Sequence, residues 1–208
     1  MSAKELIDLH IVYSSRSDFL EILSMLKKFH YKIIAVEGLE ESIGNLSGIK
    51  IFKRITIEAS SEYEAKKKLR GIKKRYDVVA LKPKSYGAAR LAARDGRVDL
   101  IPVDEETLRY IDLSEIRLLK EFGGAFEISL FTIYKNRYNV RFNRFLQKKI
   151  QLLIRYDAPI VVVSGARNMY ELWHPKQIIG ILVLYGMSEY KALDTITLTP
   201  QSILSNRS

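Results

Sequence analysis

No cysteine occurs in the 208 residues. A disulfide scaffold, a thiolate metal site and a thiol nucleophile are thereby excluded, and an intracellular setting is expected. Histidine is scarce: His10, His30 and His174 are the whole supply. A di- or trinuclear hydrolytic centre needs several imidazoles and carboxylates converging on one spot, so this inventory argues against one. Long apolar runs are missing too. Ile178–Tyr185 is eight residues long, whereas a membrane span needs about 20. Met1–His10 has no apolar stretch of the signal-peptide kind. The chain is expected to be soluble and cytoplasmic, without membrane association. Neither a G-x-x-x-x-G-K-[ST] nor a G-x-G-x-x-G segment is present, and Ser164-Gly165-Ala166 lacks the G-x-S-x-G elbow of a nucleophilic serine.

Positive charge is in surplus. Lys and Arg number 34 against 24 Asp and Glu, for a net charge of +10. Such a balance attracts polyanions, nucleic acid foremost; a basic enzyme for phosphorylated metabolites is the plainer alternative.

Short β-branched runs alternate with stretches of helical period. Strands are predicted at Ile7–Val12, Ile33–Val36, Ile49–Ile57, Val78–Leu81, Val98–Val103, Phe126–Phe131 and Pro159–Val163. Several are apolar without alternation, as in parallel strands covered on both faces. Helix starts are predicted from Asp18 with Glu21, from Ser61 with Glu64 ahead of Ala65, Leu69, Ile72 and Tyr76, and from Ser85 for a helix through Arg94. A long helix spans about Val140–Tyr156 with Phe142, Leu146, Ile150 and Leu153 on one face. Pro175 suits the first turn of another, which Gly186 ends, and Ser188–Leu193 begins a short one. No Pro/Gly/Ser-rich linker interrupts the order. The pattern predicts a single α/β domain over residues 1–208, a compact TIM-barrel-like β/α repeat with about seven parallel strands and surrounding helices, its last few residues disordered.

The first strand reads Asp8-Leu9-His10-Ile11-Val12, and alternation puts Asp8, His10 and Val12 on one face. This resembles the D-x-H-x-H opening of the polymerase and histidinol phosphatase superfamily, a barrel that holds metal ions. The second histidine of that motif is Val12 here, and valine ligates nothing. A metal-dependent phosphoesterase of that superfamily remains the alternative function, but no catalytic and no metal-binding residue is predicted. His30 is expected in the last turn of a helix, and His174 as a cap or loop residue.

Cations gather in several places. Lys66, Lys67, Lys68, Arg70, Lys73, Lys74 and Arg75 crowd one helix and outnumber its few carboxylates, which makes solvation alone an uneasy explanation, though a solvated outer helix is the plainer reading. Arg90 and Arg94 share a helical face, with Arg97 close behind. Lys82, Lys84, Lys135, Arg137 and Arg167 follow strand candidates, at the end of a β/α barrel where function usually sits. Arg141, Arg144, Lys148 and Arg155 recur opposite the long helix's apolar stripe. Phe131, Tyr134, Tyr138, Phe142 and Phe145 are interleaved with these cations; some of the rings belong to the core, and base stacking is the lesser reading.

Four blocks in order carry a family resemblance: Ala89-Arg90 with Asp95-Gly96-Arg97-Val98-Asp99-Leu100-Ile101; Phe126-Glu127-Ile128-Ser129-Leu130; Ile160-Val161-Val162-Val163-Ser164-Gly165-Ala166; and His174-Pro175-Lys176-Gln177, followed by Gly186-Met187, Ala192-Leu193 and Pro200-Gln201-Ser202-Ile203-Leu204. With these the chain resembles the archaeal ribonuclease P protein component 3 family, similar to the eukaryotic thirty-kilodalton subunit. The resemblance implies a metal-free TIM barrel. It implies a holoenzyme, an endoribonuclease and hydrolase, whose RNA removes the 5′ leader of precursor transfer RNA with Mg²⁺ held on the RNA, no cofactor belonging to this chain. The implied partners are ribonuclease P RNA, precursor transfer RNA, protein component 2 and the other ribonuclease P proteins. Arg90 matches a basic position of the family, Lys120 and Lys176 more loosely. Phe131 stands where relatives often carry a basic residue. The predicted RNA-binding residues are Arg90, Arg94, Arg97, Lys82, Lys84, Lys120, Lys135, Arg137, Arg167 and Lys176.

Overall fold

The structure, a computed structural model, describes residues 4–40 and 43–205. In chain order it runs β1 (Leu6–Val12), α1 (Arg16–Lys28), β2 (Tyr31–Glu37), β3 (Gly44–Leu46), β4 (Ile49–Ala59), α2 (Glu62–Lys68), β5 (Val78–Pro83), α3 (Tyr86–Arg94), β6 (Leu100–Pro102), α4 (Leu113–Phe122), β7 (Ala125–Ser129), α5 (Leu130–Lys135), α6 (Val140–Arg155), β8 (Ile160–Val163), α7 (Pro175–Leu184), α8 (Glu189–Asp194) and α9 (Leu198–Ser205). Strands β1-β2-β4-β5-β6-β7-β8 pair in that order, all parallel, and β3 is a short antiparallel addition to β4. The result is the expected TIM-barrel-like β/α architecture, nearly closed on seven parallel strands.

Closure takes two forms. At the C-terminal end of the strands the β8 extension meets β1 directly: Gly165 N–H donates to the His10 carbonyl at 2.9 Å and Val12 N–H to the Ala166 carbonyl at 2.9 Å. At the opposite end a turn after α8 fills the seam, with Ile7 N–H donating to Ile196 O at 2.9 Å and Val162 N–H to Thr195 O at 3.1 Å. Thr195, Ile196 and Thr197 are all buried. The turn satisfies backbone groups that an eighth strand would otherwise pair.

Inside the barrel Ile7, Leu9, Ala35, Val78, Ala80, Leu100, Ala125, Val161 and Val163 form one apolar cluster, closed by Ile203 of α9. Alanines at three of these positions suit the narrow bore of a seven-stranded barrel. The outer faces of the same strands pack on the helices. Phe142, Leu146, Ile150 and Leu153 are the buried stripe of α6, as their spacing requires.

Local departures from expectation have physical causes. The helix after Ser61 stops at Lys68 because Gly71 turns left-handed at φ 69°, and Ile72–Lys74 continue only as a 3₁₀ turn. Ser15, not Asp18, caps α1, its hydroxyl accepting from Asp18 N–H at 3.1 Å. His30 lies beyond that helix at φ 65°. The β7 strand ends at Ser129, whose hydroxyl caps α5, so Leu130 and Phe131 are helical. The strand candidate Val98–Val103 shrinks to Leu100–Pro102. His174 does cap α7: its Nδ1 accepts from Lys176 N–H at 3.2 Å while Gln177 Oε1 accepts from His174 N–H at 2.9 Å. The expected disorder of the last few residues falls on residues 206–208, outside those described.

Candidate functional site

A cavity of about 540 Å³ opens at the C-terminal mouth of the barrel, where His10, Glu37, Arg54 and Glu127 project from four strands. Residues two apart on a strand share a face. Glu37 follows Ala35, Arg54 follows Phe52 and Glu127 follows Ala125, so each charge sits one layer above an interior apolar residue. On β1 the register shifts between Asp8 and Ile11, and the expected alternation breaks. Asp8 does not join His10 in the mouth. Its buried carboxylate accepts from the backbone N–H of His10 at 3.0 Å and of Ser164 at 3.2 Å. Burial raises its pKa, against those hydrogen bonds.

Arg54 organises the mouth. Its guanidinium pairs with Glu127: Nη2 donates to Oε1 at 2.9 Å, while Nη1 stands 2.6 Å from Oε2 as an ion pair without hydrogen-bond geometry, so Oε2 and Arg54 Nε are buried without a hydrogen-bond partner. Nη1 donates to the Leu9 carbonyl at 2.7 Å, and Nε lies 3.6 Å from Glu37 Oε2. His10 bridges the same two carboxylates, Nδ1 to Glu127 Oε1 at 3.1 Å and Nε2 to Glu37 Oε2 at 3.1 Å. Thr56 completes the set by donating its hydroxyl to Glu37 at 2.8 Å and its backbone N–H at 3.0 Å.

Both ring nitrogens of His10 face carboxylate oxygens, so a neutral ring would aim one lone pair at an anion. The ring is therefore an imidazolium. Burial and the Arg54 charge push its pKa down, but the bonds to Glu127 and Glu37 outweigh them and the net shift is upward. Burial would raise Glu127, yet Arg54 and His10 hold it down at about 2; Glu37, also against burial, is held at about 2 chiefly by His10. Two cations thus balance two anions inside the barrel. The side chains that might ligate a metal are ion-paired with one another and with Arg54, and among the described residues no group of three or more His, Cys, Asp or Glu side chains is arranged to hold one.

The ten predicted RNA-binding residues do not form one site. Lys82, Lys135 and Arg167 line the mouth. Lys82 is already paired with Asp104 at 2.8 Å and Glu106 at 3.0 Å, and Lys84 with Glu58 at 2.6 Å. On α3, Arg94 pairs with Glu62 at 2.8 Å, while Arg97 beyond it pairs with Asp95 at 2.7 Å. Arg90 is exposed, its Nε 3.8 Å from the buried Glu115 that helps cap α4. Lys120 lies at the far end of the barrel, donating to the Tyr156 carbonyl at 3.1 Å. Arg137 sits in the α5–α6 turn and Lys176 in the first turn of α7. Lys120, Lys135, Arg137, Arg167 and Lys176 have no carboxylate partner for their side chains among the described residues.

Arg54, Glu37 and Glu127 were missed by sequence reasoning. A signal existed: a charge two residues beyond an interior apolar position of the same strand is too costly to bury unpaired. Ser164-Gly165-Ala166 is structural. Gly165 has φ +66°, and a Cβ there would stand 2.6 Å from Ser129 Oγ, so only glycine lets the β8 extension pass the start of α5.

The comparisons agree with one another. The family model described as RNase P subunit p30 matches residues 5–208. The ribonuclease P protein component 3 of Archaeoglobus fulgidus is 33% identical over 140 residues, 66% of this chain and 68% of that protein. That of Methanococcoides burtonii is 24% identical over 215 residues, 97% of this chain and 87% of that protein. A chain in the cryo-EM structure of archaeal ribonuclease P with mature tRNA superposes with a TM-score of 0.79 at 18% identity, covering 97% of this chain and 90% of that one. At that identity the likeness speaks for the fold.

Proposed function

The chain belongs to the RNase P subunit p30 family, and on that premise we propose that it serves ribonuclease P as a non-catalytic protein subunit in transfer RNA maturation. One observation carries the non-catalytic part: the mouth that would have to hold hydrolytic metal ions is filled by the Arg54–Glu127–His10–Glu37 network. A divalent ion would have to evict a buried, ion-paired guanidinium from a buried carboxylate, and the guanidinium cannot lose its proton to make way. Scission of the 5′ leader of precursor transfer RNA then belongs to the RNA and its Mg²⁺.

The protein's own contribution is counter-charge. Of the ten predicted RNA-binding residues, Lys135, Arg137, Arg167 and Lys176 are free to face phosphate, as are the exposed Arg90 and, at the far end of the barrel, Lys120. Lys82, Lys84, Arg94 and Arg97 are neutralised within the fold and would have to trade a carboxylate for a phosphate. Protein component 2 and the remaining ribonuclease P proteins are the proposed protein partners. No helix among the described residues is long and apolar enough to cross a membrane.

Reconstitution of the cognate RNA with the remaining proteins, with and without this chain, tests the reading. Addition should speed leader removal at fixed Mg²⁺, and the chain should co-purify with component 2. Equal rates with and without it would remove the proposal.

A further inference from the structure

The mouth and the barrel core are accounted for by the ionic network and the apolar packing. What stays unexplained is the outer surface of α5, the turn after it and the outward face of α6. From residue 128 to residue 156 the chain has no Asp or Glu at all, against seven cations: Lys135, Arg137, Arg141, Arg144, Lys148, Lys149 and Arg155. Lys149 is turned inward and donates to the Ile111 carbonyl. None of the other six has a carboxylate partner among the described residues.

Aromatic rings stand out of the same surface into water. Tyr138 is 84% exposed, Phe145 52% and Tyr134 51%. The core does not need them; Phe142, Leu146, Ile150 and Leu153 already supply the buried side of α6. Each ring is matched with a guanidinium. That of Arg137 lies 4.3 Å from the Tyr134 ring centroid and 4.6 Å from that of Tyr138, and that of Arg141 lies 5.9 Å from Phe145. Arg137 is fixed there by donating from Nη1 to the Tyr134 carbonyl at 3.0 Å. Val140, Arg141, Arg144, Phe145 and Lys148 border an open groove along α6 of about 480 Å³.

We propose that this face, from Tyr134 along α6 to Lys148, is a stacking platform for single-stranded RNA, with unpaired bases laid on Tyr138 and Phe145 and phosphates on Arg141, Arg144 and Lys148. It rests on the reading of the chain as an RNA-binding ribonuclease P subunit and names the kind of RNA that this surface takes. The chemistry favours that occupant. A cation-rich segment without acids of its own attracts a polyanion, although Glu105 and Glu106 border a neighbouring pocket with Arg141 and Phe145, and exposed rings beside flat guanidinium planes offer π faces that a base can use and a phosphate cannot. A duplex hides its base faces, so it would use only the charges.

The test is binding of the purified full chain at physiological salt to three labelled probes of about 12 nucleotides, a length near single-strand site sizes. They are an oligouridine, an abasic oligoribonucleotide with the same phosphates, and an RNA duplex. Oligouridine should bind at least about tenfold more tightly than the abasic strand, since stacking rewards each base. Tyr138→Ala with Phe145→Ala should remove that preference while leaving abasic binding unchanged. Tyr138→Trp, which keeps a stacking face, should retain it and guards against a folding defect in the double variant. Arg141→Gln with Arg144→Gln should weaken both strands alike and flatten the salt slope by about 1.4, because each phosphate left without its cation takes away about 0.7. Equal binding of abasic strand and oligouridine overturns the proposal, as does duplex binding as tight as single-strand binding. So does polyglutamate competing as well as oligouridine, which would point to an acidic protein instead. If the wild-type chain still stimulates leader removal by the reconstituted enzyme, such a failure is of the platform alone; absence of stimulation is a failure of the subunit reading itself.

Discussion

Replacing Arg54 by methionine keeps a similar length of side chain and deletes one charge from the mouth. Glu127, 2% exposed, would lose its guanidinium partner and retain only His10, and the buried Glu127 and half-buried Glu37 would share one imidazolium. Breaking a buried pair by removing one partner costs about 3–5 kcal/mol. For a chain of this size each kcal/mol moves the melting temperature by about 2–4 °C, so the loss should be roughly 6–20 °C. The pH dependence should invert as well. In the wild type Glu127 is depressed from 4.5 to about 2; its stabilisation is present above about pH 4.5 and lost as pH falls towards about 2. Without Arg54, burial dominates and the carboxyl holds its proton at higher pH. The variant should then recover stability on mild acidification, in the range where the wild type is indifferent. Arg54→Met with Glu127→Leu leaves the His10–Glu37 pair balanced and should regain most of the loss. Calorimetric melts of the three proteins between about pH 5 and about pH 8 decide it. A single variant that melts like the wild type, or a double variant worse than the single, would refute the view that this network is a mutually dependent unit.

Glu115→Gln should favour stability increasingly as pH rises. Burial and the neighbouring Asp112 push its carboxyl up to about 7, so the wild type's contribution is present below about 4.5 and lost as pH climbs through about 7; melts in paired buffers that show no crossover would count against it. Gly165→Ala forces a Cβ into the left-handed region and against Ser129 Oγ. The backbone part alone is about 1–2 kcal/mol, read as a lower melting temperature, and an unchanged one would mean the barrel seam yields easily. RNA affinity should fall steeply with salt through counterion release; a flat titration would remove phosphate contacts from the account.

The barrel was written into the order of the chain more plainly than its site was. Runs such as Ile160–Val163 and Val78–Leu81 have the unalternating apolar pattern of parallel strands covered on both sides, and the caps at Ser61 and Ser85 fell where the helices start. The turn Thr195–Thr197 that fills the open seam was unreadable, because its buried backbone groups are satisfied by strands far away in sequence. The same holds for Asp8. Strand alternation put it with His10, but a register shift on β1, invisible without β2 and β8, turned it to the backbone of Ser164. Cations were visible one by one, whereas their neutralisation was not. Lys82 meets Asp104 and Glu106, and Arg94 meets Glu62, only because β/α units come side by side. Arg54 and Glu127 are 73 residues apart, and neither looks special until the barrel closes around both.

The most direct measurement is a titration of the purified chain with Mn²⁺ or Zn²⁺, following heat of binding and phosphodiester turnover in the same samples. With Arg54 holding Glu127 and His10 bridging to Glu37, the mouth should take up no tightly bound ion and turn over no substrate. Two divalent ions bound tightly per chain, with hydrolysis abolished by His10→Ala, would contradict it.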